Sequence, residues 1–550
     1  MKKKVLLMLG GAWHPFQSCG RILSEYLSNT AGYDVVSTED REQFTKLDGF
    51  DAVVIYTQGG KLTPAQEKGL LGWVKKGGGV VGIHCASDSF VENAGYMEMI
   101  GSQFAGHGHM AEITVEHTAD CDDIIPRVGK SFVEFDEFYI LKLRTEAKLR
   151  PFQYGWWEFD KKLLGYVRGY GKGRVLYTGL GHDERAFNHP EFKDLIHKAI
   201  RWVTGEKEKP LRWGIVGYGP AFGMGAHHAN FIKATSGFRL TAVCDKDPAR
   251  IKAARKEQGK GIAYFTDTAK LIEAKVCDGV TVIVPHNLHL PVTMPLLEAG
   301  LHVISEKPFA ITPDECDRMI KAARRKQVML SVYHSRHWDS DMWTIRGIVE
   351  SGMIGEVFSI EHNMCGYGRP GQWWRSSKKI SGGLLYDMGA HGFEKIFQIV
   401  PKTDWQGKKI NRRAYLFGNF LKKVWWDTTN EDYGRAYVKF DTGLEAMLTQ
   451  SCISTAGRPG WIVSGTKGSC VSVHDGIEVK SYVDGAIRTT LVPYVQNLTW
   501  QSYYRNVADH LHAGVPLIIT AELAKAAIQC IHGCELASKE NRLVEVAFDF

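Results

Sequence analysis

Two remote segments carry side chains that could move a proton together. In Gly382-Gly383-Leu384-Leu385-Tyr386-Asp387-Met388-Gly389-Ala390-His391 the carboxylate and the imidazole are four residues apart. That spacing puts both on one face if the segment is helical. In Ser305-Glu306-Lys307-Pro308 the lysine follows the apolar run His302-Val303-Ile304, which reads as a buried strand with Lys307 at its carboxyl end. A lysine, an aspartate and a histidine converging beside a nucleotide fold would form a set for oxidising an alcohol. Histidine, with an unperturbed pKa of about 6.5, suits the base, so His391 is assigned that role. Lys307 would hydrogen-bond the same oxygen and stabilise developing alkoxide charge, with a shared proton relay left open. Asp387 would orient His391 or bind a neighbouring hydroxyl. The competing reading is a surface ion-pair cluster, which would need no nucleotide fold at its side.

Whether the chain supplies that fold is read from residue 211 onward. Leu211-Arg212-Trp213-Gly214-Ile215-Val216 is a strand running into Gly217-Tyr218-Gly219, with a helix around His228–Ala234. Gly217 and Gly219 would let the backbone turn tightly and approach a pyrophosphate at a helix amino terminus. A second strand, Leu240–Cys244, ends in Asp245, an acid at a suitable distance for a ribose hydroxyl pair. An acid there disfavours the 2′-phosphate of NADP, so NAD is expected, while Lys246 keeps NADP open. The third glycine of the fingerprint is expected where Phe222 stands, so Gly223 or Gly225 could serve only in a lengthened loop. Beyond about residue 336, runs such as Val357–Glu361, Arg435–Phe440, Glu445–Ser451 and Gly460–Ser464 lack intervening helices and fit an antiparallel sheet. Trp373-Trp374-Arg375, in a glycine- and proline-containing loop, suits a sugar ring or a dinucleotide.

The first 205 residues alternate strand-like runs (Val5–Leu9, Ala52–Tyr56, Gly79–Ile83, Arg174–Thr178) with helical spacing over Ala65–Lys76 and Pro190–Val203. That is the pattern of a parallel, doubly wound sheet, whose ligands bind beyond the carboxyl ends of the strands. His14, Gln58-Gly59-Gly60, His84-Cys85 and His182-Asp183-Glu184 fall there. Cys85 with His182 and Glu184 imitates an amidotransferase triad, but that chemistry wants Gly-x-Cys at the elbow, and His84 precedes Cys85 instead. A divalent metal held by His84, His107 or His182 with Glu137 is an option on ligand type. The polar stretch 204–210, closed by Pro210, reads as a linker.

A chain of 550 residues is expected to hold about three domains. The net charge of +7 forms no basic block, and Lys2-Lys3-Lys4 and Arg324-Arg325-Lys326 read as solvated ends of elements, so no nucleic acid is expected. No segment reads as a membrane span. Lys2–Leu9 is too short for a signal peptide and meets no cleavage site. The 11 scattered cysteines suit a reducing cytoplasm.

Residues 1–205 resemble the ThuA-like family, whose fold is similar to class I glutamine amidotransferases. The matching residues are Gly82-Ile83-His84, Phe104-Ala105-Gly106-His107, Asp136-Glu137-Phe138-Tyr139, and Gly171-Lys172-Gly173-Arg174 leading to Gly181-His182-Asp183. The resemblance implies sugar metabolism. Residues 211–550 resemble the Gfo/Idh/MocA oxidoreductases. Beside the glycines, this likeness is carried by Pro285-His286-Asn287-Leu288-His289, Ala299-Gly300-Leu301-His302-Val303, Glu306-Lys307-Pro308, Ser351-Gly352-Met353-Ile354-Gly355, Trp374-Arg375, Asp387/His391 and Gly465-Thr466-Lys467-Gly468. It implies cofactor contacts at Pro285, Asn287, His289, Glu306, Lys307, Trp374 and Arg375, and catalysis by Lys307, Asp387 and His391.

The expected architecture is therefore α/β throughout. It comprises a doubly wound flavodoxin/amidotransferase-like domain at 1–205, a linker at 206–210, a Rossmann domain at 211–335, and an α/β domain with a large, open, mainly antiparallel sheet at 336–550. That last domain would carry the substrate and form a homo-oligomer. The expected activity is NAD-dependent oxidation of a sugar or glycoside secondary hydroxyl to a 3-keto sugar, with the ThuA-like domain in the same carbohydrate pathway. The alternatives are an NAD-dependent glycosidase working by transient oxidation, and a non-catalytic sugar sensor or scaffold.

Overall fold

The computed structural model describes residues 2–549 except 119–120, 122–123, 125–130, 145–147, 158–159, 207–209, 220, 404–407 and 496–498. Most of the expected linker thus lies outside the described residues. The chain divides into two compact units, Met1–Lys209 with Ala508–Pro516, and Pro210–Val507 with Leu517–Phe550.

The first unit is built on five parallel strands in the order Asp34–Thr38, Lys4–Gly10, Ala52–Thr57, Gly79–Ile83 and Gly173–Thr178. Val5–Met8, Ala52–Tyr56 and Val80–Val81 are fully buried, because a parallel sheet is covered on both faces and needs continuous apolar runs. Helices Pro64–Lys75 and Pro190–Val203 form at the expected spacing, each with proline in its first turn. The structure departs from a purely parallel sheet on one side. Four antiparallel strands, Asp160–Tyr170, Arg150–Trp157, Ser102–His117 and Ser131–Leu143, extend it there.

In the second unit, six parallel strands run in the order Ala263–Phe265, Phe238–Cys244, Leu211–Val216, Gly279–Val282, His302–Ser305 and Leu330–Val332. The order reverses at Leu211–Val216, the switch point where such sheets bind ligands. A nine-stranded sheet follows, whose pairs are antiparallel apart from Val357–Cys365 beside Glu445–Ser451. Its strand Arg413–Leu421 alternates buried and exposed residues, so one face packs on helix Ala521–Glu540 and the other is open. Among the described residues no helix is long and apolar enough to cross a membrane.

Candidate functional site

The dinucleotide loop is longer than the usual fingerprint, and its geometry says which glycine does what. Gly217 has φ +99°, and a methyl there would sit 1.9 Å from the Ile283 carbonyl oxygen. Gly219 faces open space, which leaves room for a phosphate to approach. A turn over Ala221–Gly223, with Phe222 at φ 54°, then leads into helix Met224–Ala234. Close helix packing, the task of a third glycine, falls to Gly225, whose missing side chain would lie 2.7 Å from the Tyr218 ring. Gly217→Ala should therefore cost on the order of 1–3 kcal/mol in backbone strain, with the clash added to it. The check is a melting curve lowered by several degrees, together with lost dinucleotide binding.

Beyond the strand ends lies a cleft of about 470 Å³, walled by Gly217, Gly219, Asp245, Pro285, Glu306, Lys307, Trp374 and Arg375 among others. Its glycine-lined loop and the Asp245 carboxylate at its wall fit an NAD(P) molecule. Asp245 accepts hydrogen bonds from the Tyr218 N–H at 2.5 Å and the Asp247 N–H at 2.9 Å, which fixes its carboxylate at the edge of the cleft. Glu306 accepts from His228 Nε2 at 2.9 Å and from the Lys307 N–H at 2.9 Å. Although burial opposes ionisation, those partners hold Glu306 below its ordinary range. Two expected contacts are not brought to these walls. Asn287 is exposed, and His289 is buried with Nε2 3.0 Å from the Val284 carbonyl. His286 lines the cleft instead, edge-on to Trp374 at 4.9 Å, with burial pushing its pKa to about 3.

Lys307 and Asp387 do converge. Lys307 Nζ donates to Asp387 Oδ1 at 2.7 Å and to the Asp387 carbonyl at 2.9 Å. Arg375 donates to the same Oδ1 at 2.7 Å, and its guanidinium lies over Phe222, Trp373 and Trp374 at 4.7, 5.4 and 5.1 Å. Burial works against the Asp387 carboxylate, but Lys307 and Arg375 outweigh it and keep the group ionised far below its usual range.

The expected single helix face is corrected. Leu384–Asp387 and Gly389–Ile399 are separate helices broken at Met388. The second restarts at Gly389, where a side chain would meet Leu385 and Leu448 at 3.1–3.2 Å. Asp387 consequently serves Lys307, while His391 Nδ1 is buried with no hydrogen-bond partner. His391 opens onto a second cleft of about 440 Å³ with Arg336, Asp339, Asp341, His362, Met388 and Lys395. Burial first, then the charge of Lys307, holds the imidazole well below its ordinary pKa, so it is neutral at physiological pH.

Sequence reasoning missed much of this second wall. Lys395 pairs with Asp339 at 2.9 Å and Asp341 at 3.1 Å, and Asp341 accepts from the Trp461 indole at 2.8 Å. Lys395 is four residues after His391, so helical spacing alone could have found it.

In the first unit, His14, His84, Glu137 and His182 offer ligand atoms that all lie within 4.8 Å of one another. His14 follows the first strand, and His84 begins a turn at φ 45° after the fourth. Glu137 comes from the antiparallel extension and His182 follows Gly173–Thr178. His107, an expected ligand, binds Glu137 from outside this group. Cys85 is wholly buried with its thiol pKa raised by burial, and Glu184 binds Ser18, so these residues do not form the exposed nucleophile and its orienting acid that an amidotransferase needs.

Comparison with known proteins agrees with this geometry. Residues 4–203 match the ThuA family, described as trehalose utilisation. Residues 211–334 match the Gfo/Idh/MocA oxidoreductase family with its NAD-binding Rossmann fold, and residues 342–471 match the C-terminal domain of that family. The chain is 26% identical over 291 residues to a scyllo-inositol 2-dehydrogenase (NADP(+)), IolW, of Bacillus subtilis, covering 48% of this chain and 78% of that one. It is 30% identical over 184 residues to a D-glucoside 3-dehydrogenase of Escherichia coli, covering 33% and 52%. Several other curated relatives are likewise spanned for about half their length. An NAD-binding protein from Listeria innocua superposes with a TM-score of 0.53 at 25% identity, over 61% of this chain and 97% of that one. The chain belongs to the Gfo/Idh/MocA NAD(P)-dependent oxidoreductases, with a ThuA domain fused ahead of the dinucleotide fold.

Proposed function

We propose that the second unit is an NAD-dependent dehydrogenase of a sugar or glycoside secondary hydroxyl, forming a 3-keto sugar. The observation that carries this reading is the Lys307 amine, held by Asp387 in the wall of the dinucleotide cleft, with a neutral His391 imidazole opening onto the neighbouring cleft. NAD held along Gly217, Gly219 and Asp245 would supply the hydride acceptor. His391 takes the hydroxyl proton, and Lys307 donates a hydrogen bond to the carbinol oxygen as its charge develops. Asp387 positions the amine. Lys395 and Arg336 are offset by Asp339 and Asp341 in the second cleft, a balance that suits a neutral polyol over an acid sugar. The relative named for D-glucoside 3-oxidation supports carbon 3.

The test is to supply the purified chain with glycosides and inositols together with NAD or NADP, and to follow the reduced cofactor. Accumulation of NADH is the expected outcome. Released aglycone without reduced cofactor would replace this reading with the transient-oxidation glycosidase. Asp245 supports NAD over NADP, so kcat/KM should be at least about tenfold higher with NAD, a difference of about 1.4 kcal/mol. A preference for NADP would overturn that assignment.

The domain division 1–205, 211–335 and 336–550 is part of the proposal. So is a homo-oligomer formed through the open sheet face that exposes Tyr415 and Phe417, to be checked by light scattering. The 11 scattered cysteines suit action in a reducing cytoplasm. The ThuA domain would act in the same carbohydrate pathway and hold a divalent metal with histidine and Glu137.

A further inference from the structure

We infer that the first unit binds one divalent metal ion of the zinc class on His14, His84, His182 and Glu137, with His107 outside the coordination shell. This deepens the metal reading just given and rests on it.

The spacing favours coordination over packing. With metal–ligand bonds of about 2.0–2.2 Å, tetrahedral ligand atoms stand roughly 3.4 Å apart. Glu137 Oε2 lies 3.6 Å from His84 Nε2 and 3.2 Å from His182 Nδ1, yet neither nitrogen makes a hydrogen bond there. His14 Nδ1 is also buried without a partner. Three imidazole nitrogens, each screened from solvent and none in hydrogen-bond geometry, surround one carboxylate, and one ion would satisfy all of them.

The tautomers agree with this. His84 Nδ1 is 2.6 Å from the Gly179 carbonyl, which can only accept, so Nδ1 carries the proton and Nε2 presents a lone pair. Two of the ligand-bearing segments are pinned by one buried carboxylate. Asp136 accepts from the N–H groups of Gly181 at 2.6 Å, His182 at 3.0 Å and Glu137 at 2.8 Å. His107 behaves differently. Its Nδ1 is 2.8 Å from both Glu137 Oε1 and the Gly108 carbonyl, so it donates a proton there and turns Oε2 toward the other three histidines. A set of three imidazoles and one carboxylate suits zinc, cobalt, iron(II) or manganese rather than calcium or magnesium.

The test uses the full chain, stripped with a chelator and titrated with cobalt(II) alone, read by visible absorption and metal content. One equivalent per chain is expected. His84→Ala and, as a second variant at a less buried position, His182→Asn should each weaken binding more than about 100-fold. His107→Ala should keep the one-equivalent stoichiometry with affinity about 10–100-fold lower, as for an outer-shell partner. Circular dichroism of the metal-free variants should match that of the metal-free wild type. No stoichiometric uptake by the wild type overturns both this inference and the metal reading. Uptake that survives both His84→Ala and His182→Asn, or that His107→Ala abolishes as fully as His84→Ala, overturns this ligand set and leaves a metal elsewhere in the unit. Lys307→Met should take up the ion normally, which keeps the result separate from the dehydrogenase assignment.

Discussion

Replacing Lys307 with methionine is expected to lower kcat by roughly 10²–10⁴, the span lost when a positioned proton-handling group is removed. Dinucleotide affinity should change far less, because the loop contacts at Gly217, Gly219 and Asp245 remain. The same variant changes the pH profile in a direction that the geometry dictates. His391 is held below its ordinary 6.5 by burial first and by the Lys307 charge second. In the wild type its neutral form therefore persists well below pH 6.5, and the acid limb of kcat/KM should lie there. Methionine removes one of the depressing charges, so the limb in the residual activity should move up toward 6.5. It should stop short of that value, since the imidazole is still buried. Stopped-flow and steady-state rates across pH 4–9 read both effects. An unchanged acid limb would mean that the titrating group is not His391, and an unchanged kcat would remove Lys307 from the chemistry.

The second cleft separates the two roles further. Lys307 lines the dinucleotide cleft and His391 the one beside it. On the proposed reading the sugar lies in the second cleft, where the His391 imidazole opens. Hydride transfer needs the reacting atoms about 3–3.5 Å apart. A wall made of helix Gly389–Ile399 is stiff enough to hold that distance, because Ala390, Phe393, Ile396 and Phe397 anchor it in the core.

The parts legible in the sequence are those that local chemistry dictates. A strand ending in Gly217-Tyr218-Gly219 and an acid after the next strand announce a dinucleotide turn, since few other needs put glycine and aspartate at those places. Lys307 could be placed at a strand end because His302–Ile304 is short, apolar and bounded. What stayed hidden depends on tertiary contact. The strand Ser102–His117 mixes exposed Ala105, His107 and His109 with few buried residues, so it lacks the apolar run that marked the parallel strands. Its partner strand carries Glu137 to the histidine group, and pairing over that distance has no local signature. His14 was visible as a rim residue, but its place inside the ligand group, and that of His107 outside it, follows from register and not from spacing. The break at Met388 is of the same kind. Four-residue spacing expects one helix, whereas the structure has two helical segments joined through Met388, whose backbone stays right-handed.

Asp387→Asn tests which partner the carboxylate serves. The carboxylate accepts from Lys307 and Arg375 at 2.7 Å each, so asparagine leaves two cations facing a neutral amide. Breaking a fully buried pair from one side typically costs 3–5 kcal/mol. About a quarter of the Asp387 side chain is open to solvent, so the expected loss here is on the order of 1–3 kcal/mol. The sign of its pH dependence follows from linkage. The folded pKa of Asp387 is depressed, so its contribution is fully present above the unfolded value of about 3.9 and is lost as pH falls through the lower folded value. The gap between wild type and variant should therefore stay constant from about pH 5 to 8 and narrow below about 4 in paired denaturation curves. Activity should fall by roughly 10²-fold, the scale expected when a reacting group is displaced by about 1 Å. If Asp387 instead oriented His391, asparagine would alter the acid limb of the rate profile while leaving the stability gap near zero. The two measurements together decide which cation or imidazole the carboxylate serves.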